Sequence, residues 1–231
     1  MGIHIIQKIE GETMNQVIER AKSILILQGI EVNNICYAGR LDPLASGGLI
    51  ILTNTDVFYK MNYCNLIKTY TFSIIRGFQT DTYDILGLAT ISPITSDVIT
   101  APHEYLLQYP PYSGYCIKGK PYWKYTRENE KPPFVPYKKT IVYRFKSLDV
   151  SSITGDNLFK LIRKKISKIT QGDFRQVEII NKWQDIINSN NEYTLEHYEV
   201  MISSGGYVRT LANLMGATAF NIRRMQYKII Q

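Results

Sequence analysis

The chain has 231 residues with 45% hydrophobic and 20% charged residues, a globular composition with enough length for a real core. Its 27 Lys and Arg against 20 Asp and Glu give a net charge of +7, which favours a polyanionic partner, nucleic acid first. Scattered cysteines and histidines, and no apolar run near the ~20 residues of a membrane span, argue against a disulfide framework, a metal site and a membrane protein, so we expect a soluble cytoplasmic protein.

The first half of the chain predicts several strands and one amphipathic helix. Apolar residues from Val17 to Leu25 recur at helical spacing, and Thr13 is a candidate N-cap before them. The predicted elements are a strand over 3–9, a helix over about 14–29, a strand over 49–53, a strand over 69–77, a polar loop over 80–84 and a return strand over 87–91.

The second half predicts a similar mixture. Its predicted elements are an irregular segment over 92–117, a strand over 141–150, a basic helix over 156–170, a strand over 198–203 and a helix over 207–219. Strands and helices are mixed without a regular βαβ rhythm, and no linker divides them. The sequence therefore predicts an α+β fold, with residues 1–231 forming a single domain.

The stretch GRLDPLASGG at 39–48 places a carboxylate on a constrained loop. Pro43 pushes Asp42 toward extended or turn geometry, and Ser46 to Gly48 are predicted to close the loop before a buried strand. Such an acid at the mouth of a sheet could act as a nucleophile or in proton transfer. By itself, however, an Asp-Pro turn is more often structural than catalytic.

Two other stretches suggest binding of a phosphate-rich ligand. Residues 118–144 interleave lysines and arginines with aromatic side chains, a pattern that suits RNA, although a solvated loop with core aromatics is the alternative. The SSGG turn at 203–206 could present backbone N–H groups to a phosphate, or could simply reverse the chain. Arg209, in the first turn of the following predicted helix, is a candidate partner for a buried carboxylate.

Taken together, these stretches resemble the motifs of the TruB family of pseudouridine synthases. GRLDPLASG at 39–47 is similar to the family's G-x-L-D-P-x-A-[ST]-G, KTY at 68–70 to its K-x-Y strand, and GFQTDTYD at 77–84 to its G-x-x-T-D-T-x-D loop. PPYS at 110–113 with the basic residues after it, SGGYVRT at 204–210 and IRR at 222–224 resemble later blocks in the same order. The resemblance covers most of the chain.

The resemblance implies a pseudouridine synthase fold, with a central mixed, mostly antiparallel sheet flanked by helices, and an RNA uridine isomerase that needs no metal and no cofactor. Asp42 corresponds to the family's catalytic nucleophile, Tyr70 to a tyrosine that stacks on the flipped base and helps remove the C5 proton, and Arg209 to the arginine paired with the catalytic aspartate. The residues that the resemblance assigns to substrate binding are Tyr37, Lys68, Asp84, Tyr207 and Ile222.

Departures from the family pattern leave alternatives open. Tyr37 stands where the family has a histidine, and residues 153–190 look inserted between two strands. We expect a monomeric catalytic domain without the family's C-terminal RNA-binding domain, and an RNA-clamping segment over about 110–140. The T-loop uridine of tRNA is the first candidate target. The alternatives are the same chemistry on ribosomal or messenger RNA, a guide-dependent enzyme, and a catalytically silent RNA-binding protein.

Overall fold

The computed structural model describes residues 2–94 and 98–228. The strands there are β1 (Ile3–Lys8), β2 (Ile35–Ala38), β3 (Ala45–Thr53), β4 (Ile67–Arg76), β5 (Phe78–Thr80), β6 (Ala89–Ile91), β7 (His103–Gln108), β8 (Cys116–Ile117), β9 (Lys120–Pro121), β10 (Tyr137–Thr154), β11 (Glu192–Ile202) and β12 (Ala217–Lys228). The helices are α1 (Met14–Leu27), α2 (Lys60–Cys64), α3 (Tyr122–Arg127), α4 (Gly155–Ile166), α5 (Gln176–Ile186) and α6 (Val208–Leu214), with a 3-10 turn over Asn54–Tyr59.

A mixed sheet of eight strands organises the described part of the chain. Its order is β1-β3-β12-β4-β11-β10-β7, and β2 pairs with β3 outside this path. The pairing of β12 with β3 is parallel, whereas the other pairings in this sheet are antiparallel. This confirms the predicted α+β class, with a mostly antiparallel sheet and helices packed against it.

Helices cover the sheet through separate apolar clusters. Leu211 of α6 packs with Phe72 and Ile74 of β4 in one cluster. In another cluster, α4 and α5 pack through Ile162 and Trp183, and the Trp183 indole Nε1 donates a hydrogen bond to the Ile85 carbonyl at 3.0 Å. The two helices between β10 and β11 are therefore part of the core.

Strand β3 is buried along nearly its whole length because elements pack on both of its faces. Leu49 and Ile51 contact α1, while Ile50 and Leu52 belong to a different cluster, as alternating strand side chains must. Helix α1 starts with a capping box in which Thr13 and Gln16 satisfy each other's backbone N–H groups.

Gly47 allows β12 to approach β3 in parallel. Its φ is +110°, and a Cβ built there would lie 2.1 Å from the Arg224 carbonyl oxygen. Real Cβ atoms do not come so close to backbone, so an alanine at this position must push the two strands apart. Because residue 47 is a glycine, β3, which follows the Asp42 loop, can lie directly against β12.

Gly47→Ala is therefore expected to reduce the free energy of unfolding by several kcal/mol, on the order of 3–5, because φ strain and a backbone clash add together. Urea unfolding followed by circular dichroism measures this loss. Gly119→Ala is the matched control, since Gly119 has a φ of +82° but open space around its Cβ position. It should lose about 1–2 kcal/mol. Equal losses in the two variants would contradict the proposed strand clash.

Several sequence-based boundaries are wrong. Strand β3 begins at Ala45, so Ser46 to Gly48 lie in the strand and do not close a loop, because β1 and β12 pair with them. The helix predicted over 207–219 ends at Leu214, since Gly216 takes a φ of +66° and the chain then enters β12.

The segment predicted as irregular over 92–117 contains strands β7 and β8, while residues 95–97 lie outside the described ranges. Strand β7 forms because it pairs with β10, a contact distant in sequence. The basic helix predicted over 156–170 ends at Ile166.

Candidate active site

Asp42 and Arg209 form a bidentate ion pair. Arg209 Nε donates to one carboxylate oxygen of Asp42 at 2.8 Å, and Nη2 donates to the other at 3.1 Å. The Arg209 side chain is only 3% exposed, whereas that of Asp42 is 26% exposed. The buried cation therefore fixes the orientation of an acid that incoming molecules can still reach.

Two backbone carbonyls and a second acid hold the Arg209 guanidinium in place. Nη1 donates to the Thr82 carbonyl at 2.7 Å, and Nη2 also donates to the Tyr112 carbonyl at 3.3 Å. The Asp84 carboxylate lies 3.7 Å from Nε. Because the planar guanidinium has a partner on each side, it cannot swing away from Asp42 without leaving buried carbonyls unpaired.

Asp84 is buried in the turn after β5 and accepts hydrogen bonds there. One carboxylate oxygen accepts from Thr82 Oγ1 at 2.7 Å and from the Leu86 N–H at 3.0 Å. Burial raises the pKa of Asp84 to about 6; the nearby Asp42 charge acts in the same direction, and Arg209 opposes both. Asp84 is therefore ionised at neutral pH and shares the Arg209 charge with Asp42.

The raised pKa predicts a pH-dependent stability difference between wild type and Asp84→Asn. Between pH 4 and pH 6 the folded protein retains a proton that the unfolded chain has lost, so Asp84 makes stability fall as pH rises through this window. From pH 4 to pH 7 the stability of Asp84→Asn relative to wild type should rise by up to about 3 kcal/mol. Urea unfolding between pH 4 and pH 7 measures this stability difference, and Asp149→Asn, at an exposed position, is the control. A stability difference between Asp84→Asn and wild type that does not change with pH would contradict the prediction.

A cavity of about 230 Å³ opens beside Asp42 and collects most of the predicted substrate-binding residues. Tyr70 on β4 and Ile222 on β12 are both buried in its wall. Tyr207, at the N-cap position of α6, also lines this cavity, and burial, with the Asp42 charge, raises its pKa to about 12. Lys68 lies two residues before Tyr70 in the same wall. An aromatic ring, an aliphatic side chain and an acid thus surround a space suited to a planar ring.

A second cavity of about 350 Å³ also has Asp42 in its wall, together with Asp84 and Arg209. It opens between the start of α3 and the loop before α5. Arg175 of that loop pairs with Asp81 at 2.8 Å, and its guanidinium carbon lies 4.6 Å from the centre of the Tyr112 ring. The remaining wall is both cationic and aromatic, and includes Arg40, Trp123, Arg127 and Phe174.

Tyr37 lies in neither cavity. It sits on β2, paired with Ile51, and its ring packs against the cluster under α1. The Lys60 ammonium lies 5.1 Å from the centre of that ring. Seven of the eight predicted site residues, Asp42 among them, thus line the two cavities, whereas Tyr37 lies apart from them.

Sequence reasoning did not find Lys8 as part of this site. Its side chain is 2% exposed, and Nζ donates to the Ala45 carbonyl at 2.6 Å and to the Pro43 carbonyl at 2.8 Å, the two ends of the turn after Asp42. Burial lowers the pKa of Lys8 to about 8. The position of Lys8 at the end of a strand does not indicate this role, because most such lysines face solvent.

Within the described ranges, no three His, Cys, Asp or Glu side chains are grouped so that they could hold a metal ion. A search of the same residues found no helix with the length and apolar character needed to span a membrane.

Comparison with protein-family models gives a match to the TruB family pseudouridylate synthase N-terminal domain over residues 27–160. Proteins named tRNA pseudouridine synthase B are similar as well. The one from Malacoplasma penetrans is 32% identical over 170 residues, which is 68% of this chain and 68% of that protein. The one from Aquifex aeolicus is 30% identical over 155 residues, which is 61% of this chain and 50% of that protein. The matches to this and several other relatives span about half of those proteins' length.

Among solved structures, one described as a Cbf5-Nop10-Gar1 complex shares the fold. The superposition has a TM-score of 0.53 at 14% sequence identity and covers 98% of this chain and 48% of the other. At this identity the likeness concerns the arrangement of the strands and helices.

Proposed function

Since this chain belongs to the TruB family of pseudouridylate synthases, we propose that it isomerises a uridine of RNA to pseudouridine, with the T-loop uridine of tRNA as its first target. The observation that carries the proposal is the partly exposed Asp42 carboxylate, held in a buried Arg209 fork at the mouth of a cavity with Tyr70 in its wall. The relatives named for action on tRNA support the choice of target.

In the proposed reaction Asp42 attacks the flipped nucleoside, and the glycosidic bond breaks. The detached uracil rotates in the cavity and rejoins the ribose through C5, after which the C5 proton leaves. Arg209 keeps the carboxylate aimed, because Nε and Nη2 each donate a hydrogen bond to one of its two oxygens. The role of Arg209 is thus to orient the nucleophile. Because the reaction is an isomerisation, water is not a reactant.

The cavity wall supplies contacts for the base. We propose that the uracil stacks on Tyr70, whose hydroxyl helps remove the C5 proton, and packs against Ile222 and Tyr207. We propose that Asp84 and Lys68 complete the polar surroundings of the base. A cavity of about 230 Å³ suits one pyrimidine rather than a base pair, which fits a target turned out of its RNA fold.

We further propose that the chain works as one catalytic domain whose residues 110–140 clamp the RNA. The exposed Lys124 and Lys131 could neutralise phosphates, and the exposed Phe134 and Tyr137 could stack with bases. Tyr122 and Tyr125 in the same segment are buried in a small cluster around Ile117, so part of the aromatic pattern is structural. We propose that residues 153–190 are an insertion that supports the sheet through α4 and α5.

A second candidate is the same chemistry on another RNA. The observation that favours it is the position of Tyr37, which lies outside both cavities and cannot contact a base there. If residue 37 takes part in displacing the RNA loop that holds the target uridine, this chain should prefer a different RNA from its relatives.

Tritium release from RNA labelled at C5 of uridine tests the proposed function. The chain should release one equivalent from a T-loop stem-loop transcript, and none from the same transcript with cytidine at the target site. Release from ribosomal or messenger RNA fragments alone would favour the second candidate. Retention of RNA at moderate salt without any release would favour a silent binder, and absence of RNA binding would contradict every RNA hypothesis.

A further inference from the structure

Two buried cations lie in the wall of the smaller cavity, beyond Asp42. Arg224 on β12 is 1% exposed and Lys68 on β4 is 4% exposed. The Tyr227 ring lies against both, with its centre 5.0 Å from the Arg224 guanidinium carbon and 5.9 Å from Lys68 Nζ. These two cations form what we call the inner cationic wall.

The inner cationic wall has hydrogen-bond partners, but the described part of the chain gives it no counter-charge. Arg224 donates to the carbonyls of Gly48 at 2.8 Å and Gly39 at 2.9 Å, while its buried Nη1 has no hydrogen-bond partner among the described residues. Lys68 Nζ donates to the carbonyls of Cys64 and Leu66 at 2.7 and 2.6 Å. Among residues 2–94 and 98–228, no carboxylate lies within ion-pair distance of either cation.

Two like charges buried side by side are costly unless an anion joins them. Burial, together with the nearby Arg224 charge, lowers the pKa of Lys68 to about 8, so the ammonium remains mostly charged at neutral pH. Gly39 lies against both side chains and leaves them room, because a Cβ there would lie 3.2 Å from Lys68 Cε and 3.4 Å from Arg224 Nη1. The wall is therefore arranged for a negative charge that arrives with the ligand.

The sheet register locates that charge. Arg224 pairs directly with Tyr70 across β12 and β4, so both side chains lie on one face, and Lys68 precedes Tyr70 by two residues on the same face. A ring stacked on Tyr70 consequently lies next to both cations. A phosphate is bulkier than the edge of a base, and the 1% exposure of Arg224 leaves it little access.

We propose that Arg224 and Lys68 stabilise the negative charge that the uracil acquires when its glycosidic bond breaks, an inference that rests on the proposed function. When C1′–N1 breaks, the bonding electron pair stays on N1 and spreads onto the O2 and O4 oxygens, while C1′ bonds to a carboxylate oxygen of Asp42. When C5 of the rotated uracil then bonds to C1′, the carboxylate leaves again, the C5 proton is removed, and N1 gains a proton. The charge is transient, so a fixed cation stabilises the transition state more than the bound uridine.

The leaving-group dependence of the rate tests this inference. We would measure single-turnover loss of the target nucleoside from T-loop transcripts that carry either uridine or 5-fluorouridine, whose fluorine makes the detached base a better anion. Arg224→Gln should slow the uridine reaction on the order of 10²–10³-fold. The 5-fluorouridine reaction should slow at least about tenfold less, because its leaving group needs less help. RNA affinity should be unchanged.

Arg223→Gln is the matched control, since Arg223 is the exposed neighbour on the opposite face of β12. It removes the same charge and should slow neither reaction. Arg224→Lys restores the charge and should recover part of the uridine rate. If Arg224→Gln does not fold, Lys68→Gln replaces it, with the same selective loss expected.

Equal slowing of both RNAs together with weaker RNA binding would overturn the inference in favour of a phosphate contact. Unchanged rates in a folded Arg224→Gln would overturn it as well. An inert wild type would instead remove the proposed function, and this inference with it.

Discussion

Arg209→Lys is expected to slow pseudouridine formation on the order of 10²–10³-fold while RNA binding stays near the wild-type level. Lysine keeps the positive charge, but a single ammonium cannot fork both oxygens of Asp42. It also leaves the carbonyl of Thr82 or Tyr112 without its donor. The Asp42 carboxylate should therefore lose its fixed direction. Single-turnover rates on a T-loop transcript measure this, with RNA binding followed by filter retention.

The control variant distinguishes the charge of residue 209 from its ability to orient Asp42. Arg209→Met removes the buried charge as well, so we expect its free energy of unfolding to be about 3–5 kcal/mol lower than that of wild type. It should also be less stable than Arg209→Lys. Thermal unfolding establishes which variants are folded before rates are compared. A folded Arg209→Lys with the wild-type rate would show that the fork has no role in orienting Asp42.

Tyr70→Phe is expected to separate the two halves of the reaction. Phenylalanine keeps the ring on which the base stacks, so RNA binding and glycosidic cleavage should remain close to wild type. The hydroxyl that helps remove the C5 proton is lost, and proton removal should slow on the order of 10²–10⁴-fold. Tritium release should therefore lag behind the disappearance of uridine from digested RNA.

Tyr59→Phe, at an exposed position outside both cavities, is the matched control and should behave as wild type. Tyr70→Leu should additionally weaken binding of the target, since it removes the stacking surface. If Tyr70→Phe slows cleavage and tritium release equally, Tyr70 acts before the bond breaks and our assignment of its hydroxyl is wrong.

The sequence predicted best the elements whose signals are local. Helix α1 has both a cap at Thr13 and an apolar face, and β3 has an uninterrupted apolar run, so each was placed within a few residues. Strand β7 was missed because its register depends on β10, some thirty residues later in the chain. Helix α6 is shorter than predicted because apolar residues continue from the helix into β12. The positive φ of Gly216, which the sequence does not reveal, separates the two elements.

The predicted site residues were found through a resemblance of motifs, and the fold explains why motifs so far apart meet. Strands β3, β12 and β4 are neighbours, so the Asp42 loop, Ile222 and Tyr70 converge on one cavity. The resemblance includes Arg224 in the IRR block at 222–224, but it assigned no role to Arg224 or to Lys8, the two buried cations behind this loop. A cation in a strand looks like a solvated charge until the fold shows that it is enclosed.

The side-by-side activity of wild type and Asp42→Asn tests the central claim most directly. Asparagine has nearly the same shape and can still accept a hydrogen bond from Arg209, but it cannot act as the nucleophile. On a T-loop transcript labelled at C5 of uridine, we predict one equivalent of tritium released by wild type and none by Asp42→Asn, with equal RNA binding. Release by Asp42→Asn at the wild-type rate, or no release by either folded protein, would contradict the account.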